Sequence, residues 1–211
     1  MKLEEVNLYR MVHKANVAYI LQNGMFCRDH IAFDPTNIFI GNSLLTEQRK
    51  DFKIPIEDCG NLGEYVPFYF GYRTPMLFNI HTGHGGIIKR PQSDIIYIVC
   101  KMKRLVDAQL SIVFTDGHAK NKVTRYFTDV KDLNQLDKAS IDARIWKANQ
   151  ENPDRMRRKQ SECLVKSAVP PQYIAALVVF DEQTKAEMQQ LVRESGQGIM
   201  VHVDPNQLFY Y

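Results

Sequence analysis

The sequence predicts a mixed α+β domain built mainly of short strands. The chain has 211 residues, which suits one domain of ordinary size spanning residues 1–211. Hydrophobic residues make up 45% and charged residues 24%, so a core can form beneath an ordinary globular surface. Short runs rich in β-branched and aromatic residues recur between turns, and a few segments with helical spacing interrupt them.

The N-terminal elements are a strand at residues 8–12 and a helix at residues 13–23. Val17 and Leu21 recur at helical spacing, and Gly24 stands where a helix C-terminal cap belongs. These residues therefore predict that the chain enters the domain as a strand followed directly by a helix.

The next elements are a short helix at residues 44–51 and an aromatic strand at residues 65–70. The turn residues at 60–63 separate the two. Pro67 cannot donate a hydrogen bond to a neighbouring strand, so it favours an edge strand or an irregular one.

The remaining strands are predicted from apolar, β-branched runs. Residues 94–102 (DIIYIVCKM) indicate a buried strand. A helix is predicted at residues 184–194, with a cap near Gly196. The other predicted strands are residues 110–114, 162–166, 175–180 and 199–203.

A long polar segment at residues 119–161 interrupts this pattern, with a helical patch predicted at residues 141–148. From Lys120 to Lys159 it holds eleven basic and six acidic residues, a surplus of five, whereas the whole chain carries a net charge of +3. Long excursions from a compact domain are usually functional or mobile, and a local basic surplus favours a polyanionic partner.

Several classes of protein are excluded. No apolar run reaches the roughly 18 residues that crossing a bilayer requires, and the N-terminus lacks a secretory pattern. The four cysteines form no CxxC pair, so we expect free thiols, no metal site and a cytoplasmic protein. No dinucleotide-fold glycine motif, P-loop, HExxH or GxSxG motif occurs.

Four polar residues stand at the ends of predicted strands, where functional sites are usually built. They are His13, Tyr69, His118 and Glu162. Each also has a structural explanation: a strand-end histidine is often structural, an aromatic-strand tyrosine often packs in a core, and Glu162 balances the basic residues before it.

The N-terminal half carries two blocks that resemble ADP-ribosyltransferases. Residues 9–13 (YRMVH), with Asn16 and Gly24 after them, are similar to the opening of these enzymes, in which a histidine precedes a helix. Residues 66–77 (VPFYFGYRTPML) resemble the VPFYFxxRSPML signature of the DarT toxins, which are DNA ADP-ribosyltransferases, with Thr74 where serine is commoner.

Two further blocks resemble the same family. They are residues 114–119 (FTDGHA) and residues 157–165 (RRKQSECLV), and the second departs from the usual pattern at Ser161 and Cys163. The four blocks follow one another in the family's order between positions 9 and 165, which makes the resemblance specific.

The resemblance implies an ADP-ribosyltransferase-like fold, with short, mostly antiparallel strands in a split sheet core and flanking helices. It implies NAD as co-substrate and no metal. His13 and its neighbours would hold the ribose and the nicotinamide amide, and Tyr69 would form an aromatic wall near the nicotinamide ring. The NAD-binding residues implied in this way are Val12, His13, Lys14, Asn16, Arg49 and Tyr69.

The resemblance also implies catalytic roles. Glu162 would accept a hydrogen bond from a ribose hydroxyl and stabilise the positive charge that develops as nicotinamide leaves. Residues 34–52 resemble an NAD-covering element, in which Arg49 would contact NAD and help to activate the acceptor base. The alternative for Arg49 is a solvated helix face. His118 would orient the base or carry a proton.

Residues 119–161 take the position of the family's substrate-recognition loop. Its cations suit phosphates, and Trp146 suits stacking on an unpaired base. Alternatively, Trp146 anchors the loop to the core together with Ile141 and Ile145, and the arginines neutralise carboxylates of the fold. The residues expected to contact DNA are Trp146, Lys147, Arg155, Arg157 and Arg158.

These features together favour an NAD-dependent ADP-ribosyltransferase that modifies a base, preferably thymidine, in single-stranded DNA. The resemblance implies the toxin of a toxin–antitoxin pair, opposed by a DarG-type macrodomain antitoxin. The alternatives are a guanosine-directed enzyme and a catalytically silent nucleic-acid-binding module. A tRNA 2′-phosphotransferase ranks below these, because its active site uses several arginines where this chain offers a glutamate.

Overall fold

The computed structural model describes residues 1–211 and contains one eight-stranded sheet and one two-stranded sheet. The large sheet has the strand order β10-β9-β4-β1-β3-β7-β5-β6, and β2 pairs with β8 in the small sheet. All neighbours are antiparallel except β9 and β10. The strands are β1 Asn7–His13, β2 Met25–Phe26, β3 Tyr65–Tyr69, β4 Ile95–Lys101, β5 Ile112–Thr115, β6 Tyr126–Phe127, β7 Glu162–Lys166, β8 Ala168–Val169, β9 Ile174–Val179 and β10 Met200–Val203.

Seven α-helices flank the sheet. They are α1 Val17–Asn23, α2 Ser43–Lys50, α3 Pro75–Thr82, α4 Met102–Asp107, α5 Lys138–Asp142, α6 Arg155–Arg158 and α7 Glu182–Ser195. The helix predicted after the first strand begins as a 3₁₀ turn and ends at Gly24, whose φ of 92° is accessible to glycine. The side chain of Asp181 caps α7 by accepting a hydrogen bond from the Thr184 N–H group.

The central strand β4 is buried on both faces and divides the hydrophobic core. Ile96, Ile98 and Cys100 belong to a cluster of 29 buried residues. Tyr97 and the other alternating residues of β4 face a second cluster of 11, which includes Phe209 near the C-terminus. The period of two along a strand explains this division, and the core therefore lies on both sides of the sheet.

The prediction that Pro67 marks an edge or irregular strand is half right. β3 lies inside the sheet, and it pairs with β7 from Tyr65 to Tyr69. It pairs with β1 only through Tyr9 and Tyr69, so these two strands diverge. The carbonyl oxygen of Pro67 faces the gap, and the N–H group that proline lacks would point the same way. Proline is tolerated at position 67 because β1 does not pair with β3 there. The gap between β1 and β3 is the split in the sheet.

The prediction of a helix at residues 141–148 is wrong. The helix in this region, α5, ends at Asp142, and the chain after it is irregular. Helix α3 was not predicted, although Pro75 at its first turn and Gly83 in the left-handed C-terminal cap are typical signals. No helix combines the length and apolar character needed to cross a membrane.

Candidate active site

Glu162 is the first residue of β7 and lies directly opposite Tyr69, the last residue of β3. The pairing of β3 with β7 thus brings two predicted site residues together. The Glu162 side chain is 3% exposed. Its backbone N–H group donates to the Thr115 hydroxyl at 3.1 Å, which ties the start of β7 to the end of β5.

Arg49 holds the Glu162 carboxylate through two hydrogen bonds of 3.1 and 2.7 Å. The backbone N–H group of Ala119 donates a third at 2.8 Å. Burial raises the pKa of Glu162, but the charge and hydrogen bonds of Arg49 outweigh burial, with help from His118 and Ala119, and the pKa falls below its ordinary value. Glu162 is therefore a buried carboxylate that stays ionised at neutral pH.

His118 follows β5 and lines the same cavity as Glu162. Burial lowers the pKa of His118, and the neighbouring charge of Glu162 only partly opposes this. The ring is therefore neutral at pH 7. Its Nδ1 accepts a hydrogen bond from the Lys120 N–H group at 3.2 Å, which places the ring proton on Nε2.

Tyr69 lines the cavity next to these groups, and its hydroxyl contacts the Met76 sulfur at 3.6 Å. Burial and the negative charge of Glu162 raise the pKa of Tyr69 well above its ordinary value, against the opposing charges of Arg49 and Arg10. The phenol is thus neutral and forms a wall of the cavity.

The cavity has a volume of about 570 Å³, within the range of roughly 300–1,000 Å³ that small-molecule sites occupy. Residues 26–29, 33–35 and 37–41 line one side of it. Asn16 holds this side in place, because its amide donates to the Ile38 carbonyl at 2.9 Å and accepts from the Ile38 N–H group at 2.8 Å. The volume, and a lining that mixes apolar side chains with charged ones, fit a dinucleotide.

The cavity collects four of the six residues predicted to bind NAD: Val12, Asn16, Arg49 and Tyr69. His13 and Lys14 do not line it. His13 instead caps the turn before α1, where its Nδ1 accepts from the Ala15 N–H group at 3.2 Å.

Lys14 points away from the cavity and forms ion pairs with Asp94 at 3.2 Å and with Glu187 at 3.7 Å. Successive side chains of a β-strand point to opposite faces. The sequence alone did not show that His13 and Lys14 lie outside the cavity that Val12 lines.

The predicted DNA-contacting residues occupy two kinds of position. Lys147 is exposed and Arg155 is half-buried, and neither forms an ion pair. Trp146 instead packs edge-on against Phe78, and its indole N–H donates to the Tyr211 hydroxyl at 2.8 Å. The alternative that Trp146 anchors the loop fits this position, although with other partners than Ile141 and Ile145.

Arg157 is the clearest departure from the predicted DNA contacts. Its side chain is 9% exposed and bonds Asp116 at 2.8 Å and Asp154 at 2.6 Å. Arg158 likewise pairs with Asp154 at 2.8 Å and with Asp137 at 3.1 Å. The two guanidinium groups are thus occupied by carboxylates of the fold, which was the alternative explanation for them.

The sequence did not single out Arg10, which lines the cavity beside Arg49 and Tyr69. A charged residue between the apolar Leu8 and Val12 of a buried strand was a detectable signal. The structure contains no group of three or more histidine, cysteine, aspartate or glutamate side chains arranged to hold a metal ion.

The family model and the individual proteins that match this chain agree with one another. A family model described as "ssDNA thymidine ADP-ribosyltransferase, DarT" matches residues 9–211. A DNA ADP-ribosyl transferase of Escherichia coli O127:H6 is 32% identical over 195 residues, which cover 92% of this chain and 89% of the relative. A DNA ADP-ribosyl transferase–DNA ADP-ribosyl glycohydrolase fusion protein of Thermosipho africanus is 25% identical over 206 residues, 96% of this chain and 49% of the fusion.

Solved structures agree with the sequence comparisons. The Thermus sp. 2.9 DarT in complex with ADP-ribosylated ssDNA matches with a TM-score of 0.89 at 27% identity, covering 99% of this chain and 97% of that one. The same Thermus protein in complex with NAD⁺ matches with a TM-score of 0.81 at 26% identity, covering 99% and 98%. The predicted α+β fold with its split, mostly antiparallel sheet is confirmed.

Proposed function

The chain belongs to the DarT family of ssDNA thymidine ADP-ribosyltransferases, and from this premise we propose which of its residues bind NAD and transfer ADP-ribose. The observation that carries the proposal is Glu162, a buried carboxylate kept ionised by Arg49 at the wall of a cavity of dinucleotide size. Val12, Asn16 and Tyr69 line the same cavity and complete the proposed NAD site.

Transfer exchanges one glycosidic bond for another. The bond between nicotinamide and C1′ of its ribose breaks, and nicotinamide leaves with the bonding electron pair. A ring nitrogen of thymine forms the new bond to C1′ and loses its proton to solvent. Positive charge grows on the ribose during this exchange, and the fixed negative charge of Glu162 stabilises it without reorganisation.

Arg49 and His118 are the proposed acceptor-activating residues. Arg49 lies against Glu162, so its cation is close enough to the reacting centre to stabilise a thymine that has lost its ring proton. His118 carries its proton on Nε2, which suits donation of a hydrogen bond to a carbonyl oxygen of the base. We therefore assign His118 to orienting the base rather than to removing its proton.

Two segments complete the proposed division of the single domain. Residues 34–52 act as the NAD-covering element, which the Asn16–Ile38 hydrogen bonds fasten to the turn before α1. Residues 119–161 act as the recognition loop for single-stranded DNA. Lys147 and Arg155, which form no ion pair, are its proposed phosphate contacts.

The proposed partner is a DarG-type macrodomain antitoxin that removes the modification. Support comes from the Thermosipho relative, in which a DNA ADP-ribosyl transferase is fused to a DNA ADP-ribosyl glycohydrolase. Such a pair works where DNA lies, so we place its action in the cytoplasm. A macrodomain glycohydrolase should restore the original mass of an oligonucleotide modified by this chain, and an unchanged mass would reject that partner.

Mass spectrometry of oligonucleotides incubated with NAD and the chain tests the proposed function. A single strand with thymine and no guanine should gain one ADP-ribose, and the same strand in a duplex should react poorly, because exposing a paired base costs a few kcal/mol. Modification of only a strand with guanine and no thymine would establish the guanosine-directed alternative. No modification of any strand, with no release of nicotinamide, would establish the silent binding module.

A further inference from the structure

Each charged side chain that lines the cavity bonds to another side chain, with one exception. Asp34 accepts hydrogen bonds from the Thr36 N–H group at 2.8 Å and from its hydroxyl at 2.7 Å. The ion pairs formed by the others are Arg28 with Glu47 at 3.6 Å, Asp29 with Lys50 at 3.6 Å and Arg49 with Glu162 at 2.7 Å. The exception is Arg10.

Arg10 is a cation without a carboxylate partner. Its one side-chain hydrogen bond runs across the split between β1 and β3 to the Pro67 carbonyl oxygen, at 2.8 Å. A guanidinium has five N–H groups, so most of its donors stay available to a ligand. Burial and the positive charge of Arg49 lower the pKa of Arg10 to about 10, against the opposing effect of Tyr69. The group nevertheless stays charged at neutral pH.

This uncompensated charge is costly to the free protein. A desolvated cation without an anion destabilises a fold, and the nearby Arg49 adds repulsion. The Glu162 carboxylate does not compensate Arg10, because its hydrogen bonds come from Arg49 and Ala119. Arg10 is therefore a cation of the cavity wall without an anionic partner, and an anionic ligand would supply that partner.

We propose that Arg10 binds the diphosphate of NAD. The diphosphate is the anionic part of that ligand, and a guanidinium binds phosphate oxygens through paired, charge-assisted hydrogen bonds. The phosphate next to the nicotinamide ribose is joined to the sugar that must meet Glu162, so Arg10, close to Arg49 and Tyr69, lies in the part of the cavity where it is needed. This inference rests on the proposed function.

Calorimetric binding of NAD and ADP-ribose to Arg10→Met tests the proposal. Methionine keeps an unbranched apolar stem and removes the charge. We expect both ligands to bind about 10- to 100-fold more weakly, which is the loss typical of hydrogen bonds to a charged group. Arg10→Lys should recover part of the affinity, because it restores the charge without the fork. Nicotinamide, which lacks a diphosphate, should bind both forms alike.

Arg104→Met is the matched control. Arg104 also donates to a backbone carbonyl, that of Gln172 at 2.7 Å, but lies on α4 outside the cavity. It should bind both ligands as the wild type does. Arg28→Met removes a cavity arginine that already has a partner, so its loss of affinity should be smaller than that of Arg10→Met.

Thermal unfolding separates binding from folding. Arg10→Met should melt no lower than the wild type, because a buried, unbalanced charge is removed. Unchanged ADP-ribose affinity in Arg10→Met would overturn the proposal, whether transfer to DNA stayed normal or fell. A lowered melting temperature with unchanged affinity would assign Arg10 to the fold instead. A wild-type chain that binds no NAD would refute the proposed function itself, which is a distinct result.

Discussion

The cavity and the proposed recognition loop at residues 119–161 use charged residues in opposite ways. In the cavity, Arg49 and Glu162 are buried together, and their pairing fixes a carboxylate where chemistry is proposed. In the loop, Arg157 is similarly buried, but its carboxylate partners only hold α6, which is part of the loop, to the end of β5. Buried pairs of opposite charge thus belong to the proposed active site in one region and to the packing of the loop in the other, and their access to the cavity separates them.

The largest expected effect on stability comes from Arg157. Arg157→Met would remove the ion pairs of Arg157 with Asp116 and Asp154, although Arg125 and Arg158 still pair with these carboxylates. The loss of such charge-assisted hydrogen bonds typically costs about 1.5–3 kcal/mol in the free energy of unfolding. Chemical denaturation measures it. Arg155→Met is the matched control, because Arg155 lies on the same helix without an ion pair.

Equal stability of Arg157→Met and Arg155→Met would contradict the structural role assigned to Arg157. Arg157 would then again be a proposed DNA contact.

A smaller effect is expected on DNA binding from Lys147 and Arg155, the two proposed phosphate contacts of the loop. Neutralising Lys147 and Arg155 together should weaken binding to a single strand and reduce the slope of log affinity against log salt by roughly 0.7 for each lost phosphate contact. Fluorescence anisotropy over a salt series measures the slope. An unchanged slope would remove both residues from the DNA interface.

The smallest expected effect is a pH dependence of stability from the loop network. Hydrogen bonds from Arg157, against the effect of burial, lower the pKa of Asp154 from 3.8 to about 2. This carboxylate therefore adds stability above pH 4 that is lost as the pH falls from about 4 towards 2. Acid unfolding of Asp154→Asn should be less steep over this interval, and an equally steep curve would contradict the assignment.

The sequence predicted the longer strands well because their signal is local, but it did not predict the two-residue strands β2, β6 and β8. The apolar runs of β4, β7 and β9 determined those strands to within about one residue at each end. The position of β3 inside the sheet was not predictable from Pro67 alone, because it depends on the divergence of β1, which no local pattern encodes.

The site residues divide in the same way. Glu162 and Tyr69 were identified from the sequence blocks that carry them, and the strand pairing brings them together. The division of the loop arginines was hidden, because Arg157 meets Asp116 across 41 positions of sequence. A count of basic residues gives the charge of a segment but not the partner of each charge.

Nicotinamide release by Glu162→Gln in the presence of thymine-containing single-stranded DNA is the sharpest test of the role proposed for Glu162. We expect release to fall about 10²–10³-fold while calorimetry shows NAD still bound, because the lost charge acts mainly in the transition state. Glu194→Gln, on the outer part of α7, should turn over as the wild type does. Turnover by Glu162→Gln at the wild-type rate would contradict the assignment of this buried carboxylate to the reaction.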